Sequence, residues 1–140
     1  RNLMFELDPV LDADTLVVGD LPLCRVLLMN DSQYPWLILV PRRPQLVELA
    51  DLDEQDYLQF CAESRAVAIA LMKHYAGHKM NIGALGNVVA QLHIHHVVRF
   101  HDDPSWPAPV WGKLPAVRYS DAEAARQVAQ LQQVLFKGSA

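Results

Sequence analysis

Apolar residues recur along this chain in two rhythms. Short runs rich in Leu, Ile and Val occupy residues 15–18, 23–29 and 36–40. They are separated by Gly19-Asp20 and by Asn30-Asp31-Ser32, and runs bounded by such turn-forming residues read as strands. Three strands joined by tight turns predict an antiparallel meander. The rhythm then lengthens. Asp53, with Asp56 three residues on, suits a helix start, and Tyr57, Cys61, Ala68, Leu71 and Met72 supply an apolar face until Gly77 ends it. Residues 80–85 and 88–100 return to strand, with Gly83 and Gly86 marking a bend or a close backbone approach between them. Ser120-Asp121-Ala122-Glu123 opens a last helix in which Ala124, Val128, Leu131 and Leu135 share a face, ending near Gly138. With no internal repeat, these elements predict an α+β fold: an antiparallel sheet of about five strands, one long helix and a carboxy-terminal helix.

The run Val88 to Phe100 departs from simple packing because it carries polar residues in register. On a strand, successive side chains alternate between faces, so Gln91, His93, His95, Val97, Arg99 and His101 are expected on one face and Leu92, Ile94, His96, Val98 and Phe100 on the other. Imidazoles and a guanidinium among apolar neighbours cost free energy unless each has a partner, and a phosphate would supply one. Histidine as a nucleophile, a second histidine as a donor to phosphoryl oxygens and a supplementary cation are the residue types that phosphoryl or nucleotidyl transfer needs. A packed strand with satisfied histidines, or a metal site using His93, His95 and His101, would give the same spacing. Metal is the least favoured, because the row lacks a carboxylate or thiolate at matching spacing.

The stretch from Asn81 to Arg99 resembles the histidine triad (HIT) nucleotide hydrolases and transferases, whose signature is His-φ-His-φ-His-φ-φ with φ apolar. Asn81-Ile82-Gly83-Ala84-Leu85-Gly86-Asn87-Val88-Val89-Ala90-Gln91-Leu92-His93-Ile94-His95 is similar to that family's Asn-x-Gly…Gly-Gln-Ser-Val-x-His-x-His-x-His stretch, one residue shorter between the asparagine and the second glycine. Upstream, Trp36-Leu37-Ile38-Leu39-Val40-Pro41-Arg42-Arg43 resembles the family's His-φ-Leu-Val-φ-Pro-Lys/Arg strand. The likeness spans about residues 15–100 and departs at five positions. Gln91 stands for the first triad histidine, Asn87 for the glutamine after glycine and Val88 for the serine or threonine. Val98 stands for the proline that often follows the triad, and Trp36 for the upstream histidine.

The resemblance implies a HIT-like fold and assigns roles. His93 would be the nucleophile at an α-phosphate, and its second ring nitrogen would donate to the backbone carbonyl of Gln91, a contact that survives loss of the histidine side chain there. His95 would hold phosphoryl oxygens, and Asn81 and Asn87 would contact phosphate or ribose. Arg99 continues the same face about 13 Å beyond His95 at roughly 3.3 Å per residue, and is the cation expected to contribute. Val88 lacks the hydroxyl that helps protonate the leaving amine in the phosphoramidate-cleaving branch. The resemblance further implies a nucleotide as small-molecule partner, no cofactor, no metal and a two-fold homodimer. A HIT-like module that binds nucleotide with weak or no turnover is the alternative.

Composition narrows the remaining classes. At 140 residues and 51% hydrophobic, the chain has enough apolar mass for one compact domain over residues 1–140. The net charge of −4 argues against long nucleic acid as a partner. Arg42 and Arg43, just after a strand and before Pro44, read as a solvated turn. Cys24 and Cys61, far apart among apolar residues, read as core hydrophobes in a reducing compartment. Neither a signal-like segment nor a membrane-length apolar stretch is present, so the expectation is a cytoplasmic protein with no membrane partner. Residues 102–112 carry Pro104, Pro107 and Pro109, which exclude regular structure, together with Trp106 and Trp111. This loop is expected to cover the sheet rather than close on the site.

Overall fold

The computed structural model describes residues 4–137. In chain order these form α1 (Pro9–Asp14), β1 (Thr15–Asp20), β2 (Cys24–Met29), β3 (Trp36–Pro41), a 3-10 turn (Leu49–Asp51), α2 (Glu54–Tyr75), β4 (Lys79–Gly83), β5 (Ile94–Arg99) and α3 (Asp121–Gln132). A π-helical turn, Gln133–Lys137, follows α3, and the expected helix end near Gly138 lies outside the described residues. The strands make one five-stranded sheet in the order β1-β2-β3-β5-β4, every neighbouring pair antiparallel. The last strand therefore inserts between β3 and β4 and is hydrogen-bonded on both sides. This is the expected α+β architecture.

The two faces of the sheet have different covers. On one, α2 and α3 bury Phe60, Val67, Leu71 and Leu131 against Val26, Leu28, Leu37, Leu39, Ile94 and Val98. On the other, Leu11 of α1 and Val110 of the loop after β5 pack with Leu27, Trp36, Ile38, Val40 and Val97. Each face removes a continuous apolar surface from water, at roughly 25 cal/mol per Å².

Several local expectations are corrected. Gly19 and Asp20 do not form the first turn: β1 continues through them with a bulge after Val17, and the chain reverses at residues 21–23, where Leu21 N–H donates to the Cys24 carbonyl. The helix α1 has only six residues, too few for a periodic signal, although Asp8 caps Val10 N–H and Pro9 opens the first turn. The N-cap of α2 is Asp53, which accepts from Asp56 N–H at 2.8 Å as expected. Its buried face, however, is Phe60, Glu63, Ser64, Val67 and Leu71, leaving Tyr57 and Cys61 exposed. Two polar residues on that face obscured the period. Both have buried partners: Glu63 accepts from the Leu23 and Cys24 amides at 2.8 Å each, and Ser64 bonds His96 at 2.7 Å. Among the described residues no helix is long and apolar enough to cross a membrane.

Candidate active site

The expected strand 88–100 is shorter than its apolar pattern. Regular pairing begins at Ile94, and residues 84–93 leave the sheet as a bent segment. Gly86 sits at φ +71°, a left-handed conformation that glycine adopts without steric cost. Gly83 lies opposite His95 in the ladder, and a Cβ added there would stand 3.4 Å from the Trp111 ring. The missing side chain lets the tryptophan close over the strand beside the histidine. The bent segment lines a cleft of about 340 Å³ together with His93, His95, Trp36 and Trp111. The lining also includes Val10 and Leu11 of α1, Met29, Ile38 and two carboxylates, Asp14 and Asp31.

Within this cleft the two histidines are complementary, because different partners fix their tautomers. His93 Nδ1 lies 2.6 Å from the Gln91 carbonyl oxygen, which can only accept, so Nδ1 carries a proton and, in the neutral form of the ring, the lone pair lies on Nε2. At His95 the polarity is reversed. The Trp36 indole N–H, a donor only, points at His95 Nδ1 at 3.0 Å, so that nitrogen accepts and the neutral ring bears its proton on Nε2. The rings meet edge to face with centroids 5.1 Å apart. The pair therefore offers one nucleophilic lone pair and one N–H donor. Burial, then the neighbouring His93 and His96, push the His95 pKa down to about 4, keeping the ring uncharged. Trp111 stacks edge-on against His95 and Trp36, with centroids 5.4 and 6.5 Å away.

Of the residues assigned catalytic or binding roles from sequence, His93, His95 and the exposed Asn87 line this cleft, while Asn81, Gln91 and Arg99 do not. Arg99, expected to supply a cation to the site, is not among the residues lining the cleft. Its side chain is 1% exposed and engages Asp103 with two nitrogens at 2.8 and 3.0 Å. It also donates to Asn81 Oδ1 at 2.9 Å and Ser105 Oγ at 3.2 Å, lying under the Trp106 ring. Asn81 thereby joins the same network and is not among the cleft-lining residues. The Gln91 side chain serves the chain itself: its Oε1 accepts from Asp8 N–H at 2.8 Å and its Nε2 donates to the Glu6 carbonyl at 2.7 Å. An amide can satisfy both backbone groups at once, and this fixes the segment leading into α1, one wall of the cleft.

His96 faces the helices as expected. Its Nδ1 donates to the Ile94 carbonyl at 3.0 Å and its Nε2 accepts from Ser64. His101 leaves the strand and stacks on His78 with centroids 4.1 Å apart, so it does not join His93 and His95. Among the described residues no three His, Cys, Asp or Glu side chains gather as a metal-binding set. Arg42 donates to the Leu21 and Pro22 carbonyls and Arg43 pairs with Asp56, consistent with a structural turn.

Several cleft residues carry no site assignment from sequence, among them two tryptophans and two aspartates. Trp36 and Trp111 read as a departure and a cover, yet both touch His95. The 102–112 loop thus closes on the site as well as covering the sheet. Asp31 reads from sequence as part of the Asn30-Asp31-Ser32 turn, and Asp14 carries no reading there, yet both line the cleft. Asp31 is buried and accepts from the Gln33 and Val117 backbone amides through Oδ1. Its position two residues after β2, inside a turn-forming triplet, gives no sequence signal of that burial.

The model of the HIT domain family matches residues 10–102 of this chain. Among solved structures, a histidine triad protein from Marinobacter aquaeolei VT8 is 46% identical with a TM-score of 0.93, over 97% of this chain and 99% of that one. One from Sinorhizobium meliloti 1021 is 42% identical with a TM-score of 0.90, over 94% and 97%. Another, from Bradyrhizobium japonicum, is 41% identical with a TM-score of 0.91, over 95% and 99%. No curated protein matches.

Proposed function

Since the chain belongs to the HIT domain family, whose membership supports a nucleotide-binding hydrolase or transferase kind of function, we propose that it acts at a nucleotide α-phosphate through a nucleotidyl-histidine intermediate on His93. The observation that carries this reading is the pair of opposed tautomers. In the first step His93 Nε2 bonds to phosphorus while the bond from phosphorus to the leaving-group atom breaks, its electron pair departing with that atom. Water, or an acceptor hydroxyl, then cleaves the nitrogen–phosphorus bond and regenerates the imidazole. His95 Nε2–H donates to a non-bridging oxygen as charge develops there, joined by amides of the bent segment 84–90. Asn87 contacts the phosphate from the cleft rim, and Asp31 accepts from sugar hydroxyls. Gln91 works through its carbonyl on His93 and its side chain on the amino-terminal segment, while Arg99 and Asn81 brace the floor. In this proposal residues 1–140 form one HIT-like domain working as a two-fold homodimer in the cytoplasm, without cofactor or metal.

The test is intact-mass analysis of pure protein mixed with a panel of mono- and dinucleotides, before and after treatment with EDTA. The expected result is a nucleotidyl adduct mapped to His93 and turnover that survives chelation. Nucleotide binding with neither adduct nor turnover would instead identify a binding module. Activity lost on chelation and restored by zinc would return both histidines to the role of ligands.

A further inference from the structure

Gln91 carries more than the carbonyl that orients His93. Its side-chain amide accepts from Asp8 N–H at 2.8 Å and donates to the Glu6 carbonyl at 2.7 Å, across more than eighty residues of chain. The two backbone groups flank Leu7 and face one way, and a primary amide, with acceptor and donor side by side, matches both at once. One side chain thus holds a whole segment in register.

That segment leads straight into α1. Phe5 and Leu7 pack, partly buried, on the cluster of Leu11, Trp36, Ile38 and Val97, and Asp8 then caps the helix. Six residues are far below the length at which an isolated helix holds its shape in water, so α1 stands where its two ends are tied. Gln91 ties the first end. At the second, the Asp14 carbonyl accepts from Asn30 N–H at 3.0 Å, and the Arg118 guanidinium lies 3.5 Å from the Asp14 carboxylate.

The placement of α1 matters because Val10, Leu11 and Asp14 line the cleft beside Asp31. A nucleotide whose phosphate meets His93 and whose sugar meets Asp31 runs along this helix, with the half-exposed Val10 as apolar surface for the base.

Resting on the nucleotidyl-transfer reading above, we propose that Gln91 is a positioning residue for the nucleoside: by holding residues 6–8 it fixes α1 as the wall against which the nucleoside lies. Selectivity for nucleotides over other phosphodiesters is then set by a side chain in the nucleophile's own segment. The same residue serves both ends of the substrate, its carbonyl through His93 and its amide through α1.

The test uses p-nitrophenyl esters of adenosine, guanosine and cytidine 5′-monophosphate beside p-nitrophenyl methyl phosphate, which keeps the phosphodiester and the leaving group but has no nucleoside. Gln91→Leu should shrink the advantage of the nucleotide esters in kcat/KM by about tenfold or more, most of it in KM, because the backbone carbonyl that orients His93 remains. Hydrogen exchange at residues 8–14 should quicken in that variant while residues 94–99 stay protected, which separates release of α1 from unfolding. Gln91→Glu keeps the shape and the acceptor but turns a second oxygen toward the Glu6 carbonyl, so it should behave like Gln91→Leu. A nucleotide advantage absent from the unaltered protein, an equal loss on nucleotide and methyl esters, exchange in α1 no faster than in the parent, or a Gln91→Glu protein with full selectivity overturns the proposal and leaves nucleotidyl transfer standing. Absence of any His93 adduct from the unaltered protein with every ester overturns both, and the mass spectrum distinguishes the two failures.

Discussion

His95 and His96 are adjacent in sequence, buried on the same strand and both depressed to a pKa of about 4, chiefly by burial, yet they do different work. On the helix face both nitrogens of His96 are consumed, one by the Ile94 carbonyl and one by Ser64. On the cleft face His95 spends Nδ1 on Trp36 and its neighbour His93 spends Nδ1 on Gln91, so that each retains Nε2 for a ligand. Burial and pKa alone do not mark a site histidine. The uncommitted nitrogen facing a cleft does.

Substitutions should divide along this line. The largest effect is expected at the nucleophile. His93→Ala should lower turnover by about 10³-fold or more while nucleotide affinity stays within about tenfold, because a nucleophile contributes mainly after the ground state. Single-turnover kinetics paired with calorimetry would check this, and ordinary turnover by the variant would remove His93 from the mechanism.

The next comparison exchanges the two neighbours. His95→Ala should cost about 10²- to 10³-fold in kcat with a modest change in melting temperature, as for loss of one donor to a developing oxyanion. His96→Ala should do the reverse. Deleting a buried ring and orphaning the Ser64 hydroxyl should cost about 2–4 kcal/mol in stability, with kcat per folded molecule close to that of the parent. Equal effects on kcat would collapse the distinction between the two faces.

Acid should act on both faces together. An unfolded imidazole titrates near 6.5, and the folded pKa of about 4 at each site means that the unfolded chain binds more protons between these values. Stability is therefore full above pH 6.5, falls as pH drops toward 4 and levels below it. By pH 5 the loss should be about 2 kcal/mol for each histidine. Urea titrations at pH 7 and pH 5 would measure it, and an acid loss unchanged by substituting His96 would refute the assignment to that ring.

The smallest effect separates tautomer from packing. Trp36→Phe keeps an aromatic ring beside His95 and removes the indole donor. It should lower kcat by roughly tenfold and let His95 populate both neutral tautomers, visible in the ring ¹⁵N shifts. Trp36→His restores a ring N–H and should recover part of the rate. A Trp36→Phe protein with unaltered ¹⁵N shifts would show that the indole does not hold the proton in place.

Much of this arrangement was legible along the chain. Period-two and longer apolar rhythms suffice for the five strands and two longer helices, because burial on a sheet or helix imposes its spacing on the residues themselves. Asp53 and Ser120 announce helix starts through their own side-chain oxygens. The alternation at Ile94, His95 and His96 likewise separates the ring facing the helices from the one facing away. Other features had no local signature. The apolar run 88–93 looks like strand, but strand pairing requires a partner, and its neighbour β4 ends at Gly83. Arg99 shares the parity of His95, yet its charge is claimed by Asp103 in the local turn after β5 and its remaining donor by Asn81 from β4, 18 residues away. Trp36 lies 59 residues from the imidazole whose proton it places, and Gln91 reaches 83 residues back to Asp8. Local residue types are enough to set spacing and caps, since those depend on near neighbours. Which nitrogen stays free depends on donors and acceptors from distant segments, and only their packing brings them within hydrogen-bonding reach.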